Sequence, residues 1–272
     1  MSWMSVLYIQ AQTDGLPTSK FQIRSTLFGI GYTNILDTYL SPVEYKGMEI
    51  RMLRENMKMT DLMDGQVSSQ SMFQLYVSIT KNHANTGNEW GGILNGIQAW
   101  HYHWDIGDLK LLAGPMIDLN FGFLYNTRNS NNPAQAIANI NLDASGMAIY
   151  HFHIKKHPFI ARYQLNIPFA GVMFSPDYGQ SYYEIFELEH SNRNVLFTSV
   201  HNRPSFRQFL TLDVPVRNSC IRIGYMCDIQ QSKVNHIKSH QWSHSLILGF
   251  VKTLFPVKER DRMILSSPYN PF

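Results

Sequence analysis

No stretch of this sequence runs to about 18 uninterrupted apolar residues, the length an α-helix needs to cross a bilayer core, so a helical membrane span is excluded. Cysteine is nearly missing. The only two, Cys220 and Cys227, fall in one candidate strand. That places them roughly 23 Å apart at about 3.3 Å per residue, beyond disulfide reach. Charge is scarce too: Asp, Glu, Lys and Arg make up 16% of the 272 residues, and the net formal charge is only +3. The basic residues form no stripe or cluster, so no nucleic-acid partner is expected. The N-terminus has no basic head, the first lysine being Lys20, and no cysteine follows its short apolar run Trp3-Met4-Ser5-Val6-Leu7-Tyr8-Ile9. A lipoprotein anchor is therefore not expected. The run and the Gln10-Ala11 that follows still read as the end of a signal peptide cleaved after Ala11.

What is present is apolar surface in a diluted form. Hydrophobic residues reach 44%, yet mean hydropathy is slightly negative because Ser, Asn, Gln, Thr and Tyr are interspersed. The dilution has a period of two. In Leu111, Ala113, Pro115, Ile117, Leu119, Phe121, Phe123 and Tyr125 every odd position is apolar, while Lys110, Asp118 and Asn120 occupy even ones. Ala138, Ile140, Leu142, Ala144, Ala148, Tyr150, Phe152 and Ile154 repeat the pattern against Asn139, Asn141, Asp143, Ser145, His151 and His153. Strands this long are unusual in soluble sheets and ordinary in membrane barrels.

Ten such segments emerge, at 20–34, 44–58, 68–81, 89–106, 109–126, 136–155, 158–173, 205–216, 219–231 and 239–255. They predict a closed antiparallel up-and-down transmembrane β-barrel over 18–256, with short periplasmic turns and longer extracellular loops. Residues 1–11 read as the leader and 257–272 as a polar periplasmic tail. One hairpin is explicit enough to fix a register. With Gly107-Asp108 as a two-residue turn, Asp105 faces Lys110, Trp104 faces Leu111 and His103 faces Leu112. Trp100, Tyr102 and Trp104, with Tyr150 and Phe152, then sit just above inner turns, where an interfacial aromatic girdle belongs. Pro115 and Pro168 cannot donate to a ladder and should mark bulges or breaks. Strand one alternates poorly, Phe28, Ile30 and Tyr32 lying opposite Phe21, Ile23 and Leu27, which suggests a bulge.

Several stretches together, Phe28-Gly29-Ile30-Gly31-Tyr32, Asp37-Thr38-Tyr39-Leu40-Ser41-Pro42, Tyr125-Asn126-Thr127-Arg128-Asn129, Asp143 to Tyr150, Pro176 to Glu184 and Ser243-His244-Ser245, resemble an uncharacterised family of Bacteroides-type outer-membrane barrel proteins. The likeness spans roughly residues 18–256. It implies a location in the bacterial outer membrane and no particular activity.

Candidate sites follow from facing and spacing. Arg24, Glu49, Arg51, Glu55, Asp118, Asn120, Asp143, Arg162, Arg207, Asp213, Arg222 and Asp228 fall on predicted inward faces, and ten strands leave so little interior that they should interlock as a plug. A narrow solute pore is the alternative. The pairs His101/His103 and His151/His153 are spaced to let two imidazoles share a metal, but as fillers of the barrel base bonded to Arg162 and to backbone they need none, and no cofactor is expected. Ser199-x-His201 is the sole Ser/His pair at strand spacing, the arrangement an outer-membrane lipid or peptide hydrolase would need. The connection between Phe174 and Ser205 is too long for a turn. Its Asp177, Tyr178, Tyr182, Tyr183 and Glu184 suit sugars or protein contacts, and the same segment could instead fold over the mouth and seal it. The reading that unites these features is a non-enzymatic surface binding or scaffold component whose partners are outer-membrane lipid and other envelope proteins or a surface glycan. A soluble secreted β-sandwich is the competing architecture.

Overall fold

The computed structural model describes residues 22–155, 157–188, 193–216 and 219–254. The leader expected at 1–11 and the tail expected at 257–272 lie outside the described residues. The elements are β1 (Gln22–Asp37), β2 (Tyr45–Met59), β3 (Val67–Asn82), β4 (Asn88–Ile106), β5 (Leu109–Asn126), β6 (Ala134–Ile154), β7 (His157–Phe174), a single helical turn α1 (Tyr182–Phe186), β8 (Val195–Ser199), β9 (Phe206–Val216), β10 (Ser219–Val234) and β11 (Ile237–Leu254).

Each strand pairs antiparallel with its neighbours, and β1 pairs with β11 from Gln22↔Leu254 to Asp37↔Ser239, so the sheet closes on itself. One closed sheet replaces the two packed sheets of a sandwich, which removes that alternative. The barrel has ten strand positions although eleven strands are present among the described residues. β7 pairs through Ala170–Phe174 with β8 and through Ile160–Asn166 with β9, so those two strands share one position. The five-residue β8 lies in what the sequence presents as loop.

The register of the explicit hairpin is the one its residues dictate: Asp105↔Lys110, Trp104↔Leu111 and His103↔Leu112, with Gly107 at φ +62° in the turn. Pro168 sits at a bulge, where the β6–β7 ladder shifts between Leu142 and Asp143 and leaves Phe169 unmatched. Pro115 keeps its pairing with β6, but on the β4 side Trp100 and His101 drop out of the ladder opposite Pro115 and Gly114. At the upper end, β10 and β11 run further than their composition suggests and meet in a two-residue turn. Asn235 and His236 adopt φ 48° and 61° there, the twist that matches a tight hairpin.

Strand one contains no bulge; both of its ladders are continuous. Phe28, Ile30 and Tyr32 point outward, while Ile23 and Leu27 are buried inside. The apparent conflict arises because the interior is itself partly apolar. For the same reason Arg24, expected inside, lies on the outer face and is exposed.

The interior is built in layers. Ile23, Met57, Leu112, Met147, Ile149 and Val251 form a lower apolar cluster. Leu27, Leu53, Met72, Ile97, Met116, Phe209, Met226 and Ile247 form a middle one. Ile35, Tyr39, Leu40, Leu124 and Ile237 close the top. Outside, large apolar side chains are bare: Phe121 is 68% exposed, Leu246 67% and Phe250 62%. Aromatic pairs gather near the lower turns, with ring centroids 4.8 Å apart for Tyr102–Trp104 and 5.8 Å for Tyr150–Phe152. Trp90 and Tyr125, 6.1 Å apart, form a counterpart at the upper rim.

Candidate functional site

Apart from Arg24, the charged residues on the expected inward faces are buried in the barrel, and they sort into two ionic groups with an apolar layer between them. The lower group centres on Glu55, which is 2% exposed. Its oxygens accept from Arg162 (2.7 and 3.1 Å), Arg222 (2.6 Å), Gln70 (2.6 Å) and Ser25 (3.2 Å). Arg222 also forks onto Asp213 at 2.6 and 2.7 Å. In the upper group Arg207 bridges Asp118 (2.9 Å) and Asp228 (3.1 Å). Arg51 joins Asp228 (3.2 Å) to Glu49 and lies 4.3 Å from the centre of the Tyr76 ring. Ser243 and Ser245 donate to Glu49, and Asn95 and Asn120 to Asp118. Isolated buried charges would be very costly, and the bidentate pairs of Arg162 and Arg222 with the bridging contacts of Arg51 and Arg207 are what make this set tolerable. Asp143 is the exception: it is buried, and its Oδ1 has no hydrogen-bond partner among the described residues.

Among the described residues, eight carboxyl groups are buried (Asp37, Glu49, Glu55, Glu89, Asp118, Asp143, Asp213, Asp228) against five guanidiniums (Arg51, Arg162, Arg203, Arg207, Arg222). Arg203 escapes a period-two reading, because it arrives from the irregular segment between β8 and β9. It donates to the amide oxygens of Asn141 (2.6 Å) and Gln230 (3.0 Å).

Over the mouth lies the described part of the long connection, residues 175–188. Ser181 caps α1 in a reciprocal capping box with Glu184, so the Glu184 carboxylate is committed to the helix start. Ile185 is buried. Tyr182, expected on a binding surface, turns down instead: its hydroxyl accepts from the Ala136 amide at 2.6 Å and donates to Gln135 at 3.0 Å. Its ring meets Tyr39 edge-on and packs on Phe174 and Phe186. Tyr39 in turn donates to the Gln180 carbonyl at 2.8 Å. Burial raises both phenols, that of Tyr39 to about 12. Asp177 bonds to His236 of the β10–β11 turn at 3.3 Å, and that bond holds its carboxyl below the usual range. Of the residues proposed for binding, only Tyr178 and Tyr183 stand clear of the lid, 66% and 64% exposed, beside Phe186 and Leu188.

The histidine pairs do not converge. His101 turns to Ser145 of β6 (2.8 Å) and His103 to Ser68 of β3 (2.7 Å), on opposite sides of β4. His151 is half-buried and His153 exposed. No group of three metal-ligating side chains occurs among the described residues. Arg162, expected beside these histidines, is taken up by Glu55. Ser199 and His201 are hydrogen-bonded to each other, Oγ to Nδ1, at the β8–β9 irregularity. His201 is exposed, and among the described residues no carboxylate lies within ion-pair distance of it.

A closed ten-position antiparallel barrel, filled inside, apolar outside and lidded at one end, is the class that fold and site define. The chain belongs to the family described as "Protein of unknown function (DUF3316)", whose model matches residues 2–261. No curated protein matches it. Among solved structures it is similar to the translocator domain of autotransporter NalP from Neisseria meningitidis, at 10% identity over 89% of this chain and 90% of that one, TM-score 0.43. It is also similar to the outer membrane protease OmpT from Escherichia coli, at 6% identity over 89% and 99%, TM-score 0.44. An outer membrane channel from Pseudomonas putida F1 matches at 9% identity over 90% and 98%, TM-score 0.38.

Proposed function

We propose that this protein is a non-enzymatic outer-membrane component that binds or scaffolds other molecules at the cell surface and does not conduct solute. The observation that carries the reading is the filled lumen: apolar and ionic layers alternate from the lower turns to the lid. The exposed outer apolar face, bordered by aromatic pairs at both ends, supports residence in a bilayer, because a water-soluble monomer does not leave such a surface bare. Outer-membrane lipid is then the constant partner. The surface left for a second partner, an envelope protein or a glycan, is the lid with Tyr178, Tyr183 and Phe186. Crosslinking on intact cells from a photoreactive side chain at Tyr183, followed by detergent extraction, tests this. One recurrent adduct supports the scaffold reading, and adducts to lipid alone remove it.

The hydrogen bond between Ser199 and His201 favours a lipid hydrolase as the second reading. Without a carboxylate to orient the imidazole the pair is an incomplete relay. Unchanged lipid turnover in Ser199→Ala membranes would remove it.

A further inference from the structure

The barrel wall is left unpaired at the top of the β6–β7 seam. Their ladder begins at Asn139↔Met173, so the top of β6, Ala134–Ala138, has no β7 partner. The notch is filled by side chains. Tyr182 takes the Ala136 amide in place of a strand carbonyl, and Phe174 and Phe186 pack on its ring at 6.2 and 6.1 Å. Inside the notch, under the lid, is a chamber of about 90 Å³ lined by Asp37, Tyr76, Asn120, Asn139, Arg203 and Gln230, among others. Outside it, a groove of about 620 Å³ crosses the wall obliquely from Phe73 past Leu94 and Phe121 to Val172 and Val195, with Gly96 and Ala138 on its floor. A side chain added at Gly96 would meet nothing within 4 Å. The two hollows share Asn120, Ala138, Asn139, Met173 and Phe174, so they adjoin across these residues.

We propose that this seam binds one long-chain fatty acid, its chain in the outer groove and its carboxylate in the chamber against Arg203. This rests on the bilayer reading of the exterior, since the molecules that reach an apolar groove at that depth are acyl chains. The groove crosses from β3 to β7, four strand spacings or about 19 Å, a length suited to one extended chain. The chamber is too small for a glycerophosphate head with two ester arms. Arg51, Arg162, Arg207 and Arg222 each hold a carboxylate within 4.0 Å, whereas Arg203 holds two neutral amide oxygens. Among the described residues it is the interior guanidinium with no carboxylate within 4.0 Å, Asp118, Asp143 and Asp228 acting on it only from farther off, so its charge-assisted donors can turn to an incoming carboxylate. Phe174 and Tyr182 are then the gate through which the head enters sideways, from the bilayer.

The test uses the full chain in phosphatidylcholine nanodiscs, titrated with radiolabelled oleate and, separately, with oleyl alcohol, which has the same chain and no charge. Saturable uptake of one oleate per barrel above empty discs is expected. Ala138→Trp should abolish it by filling the groove. Arg203→Gln should weaken oleate about tenfold or more, to the level of the alcohol, with Arg203→Lys recovering part of the loss. Oleate binding unchanged in Ala138→Trp and Arg203→Gln, an absence of saturable uptake, or full competition by acetate, which marks a free-anion site, each overturns the proposal. Heat-modifiable gel migration shows which variants are folded; if Arg203→Gln is not, Arg203→Lys and Ala138→Trp decide. Wild-type protein that is unaffected by heating and recovered in the soluble fraction would instead sink the membrane reading itself.

Discussion

Glu55 holds two arginines, a glutamine and a serine at once, so its removal leaves two guanidiniums buried with too little counter-charge. Glu55→Ala should cost about 3–5 kcal/mol, read as a fall in the urea midpoint of the heat-modifiable band. Asp143 is also a buried lumen carboxyl, but its Oδ1 is already without a partner. Asp143→Asn should therefore change the same midpoint by less than about 1 kcal/mol; equal losses in the two variants would mean that the ionic layers do not act as discrete hubs. These residues were legible in the sequence because charge recurring at every second position of an apolar strand can face only a polar interior. For the converse reason Arg24 falls on the outer face instead of the expected inner one, and Ile23 and Leu27 lie inside without the bulge their pattern suggests. Alternation separates two faces without saying which apolar face meets the bilayer and which meets the lumen. Arg203 was invisible because it stands in no alternating run.

Among the strands, β4 and β5 lose their pairing opposite Gly114 and Pro115, and the backbone of Trp100 lies close over Gly114. A Cβ on Gly114 would lie 1.8 Å from the Trp100 carbonyl oxygen, whereas one on Gly146, on the adjoining strand β6, meets nothing within 4 Å. Gly114→Ala should therefore destabilise the barrel by about 1–3 kcal/mol or more and Gly146→Ala hardly at all, measured as refolding yield into lipid vesicles. Similar yields would show that the β4–β5 break is pliable. The lid makes a parallel case. Ser181→Ala removes the cap of α1, worth about 1 kcal/mol, and should speed amide hydrogen exchange across 182–188 while leaving β1 and β11 protected. Long strands and the 107–108 hairpin were readable because period two and turn chemistry are local properties. β8 was not, since five residues before an irregular segment carry too little pattern. The inward turn of Tyr182 depends on the missing β7 partner of Ala134–Ala138, a tertiary fact with no local signature.

For the molecule as a whole, the question of conduction separates lid from lumen. The lid covers the mouth, with Ile185 and Tyr182 over an apolar layer, so a barrel that was merely gated would open when residues 177–188 are replaced by a short glycine-serine linker. The layered interior says otherwise. Below the lid, Arg51 and Arg207 tie β2 to β9 and β10, and Arg162 and Arg222 tie β2 to β7, β9 and β10. Two apolar clusters occupy the remaining height. An ion crossing this path would have to part these buried ion pairs and shed its own hydration between apolar layers. We therefore expect the lidless barrel, like the wild type, to show no steady current in a planar bilayer. Opening should require a lumen substitution as well, such as Glu55→Ala with Arg222→Ala in the lidless background. Steady conductance from removal of the lid alone would mean that the ionic layers yield to water under voltage, and the lid would then be the gate of a pore.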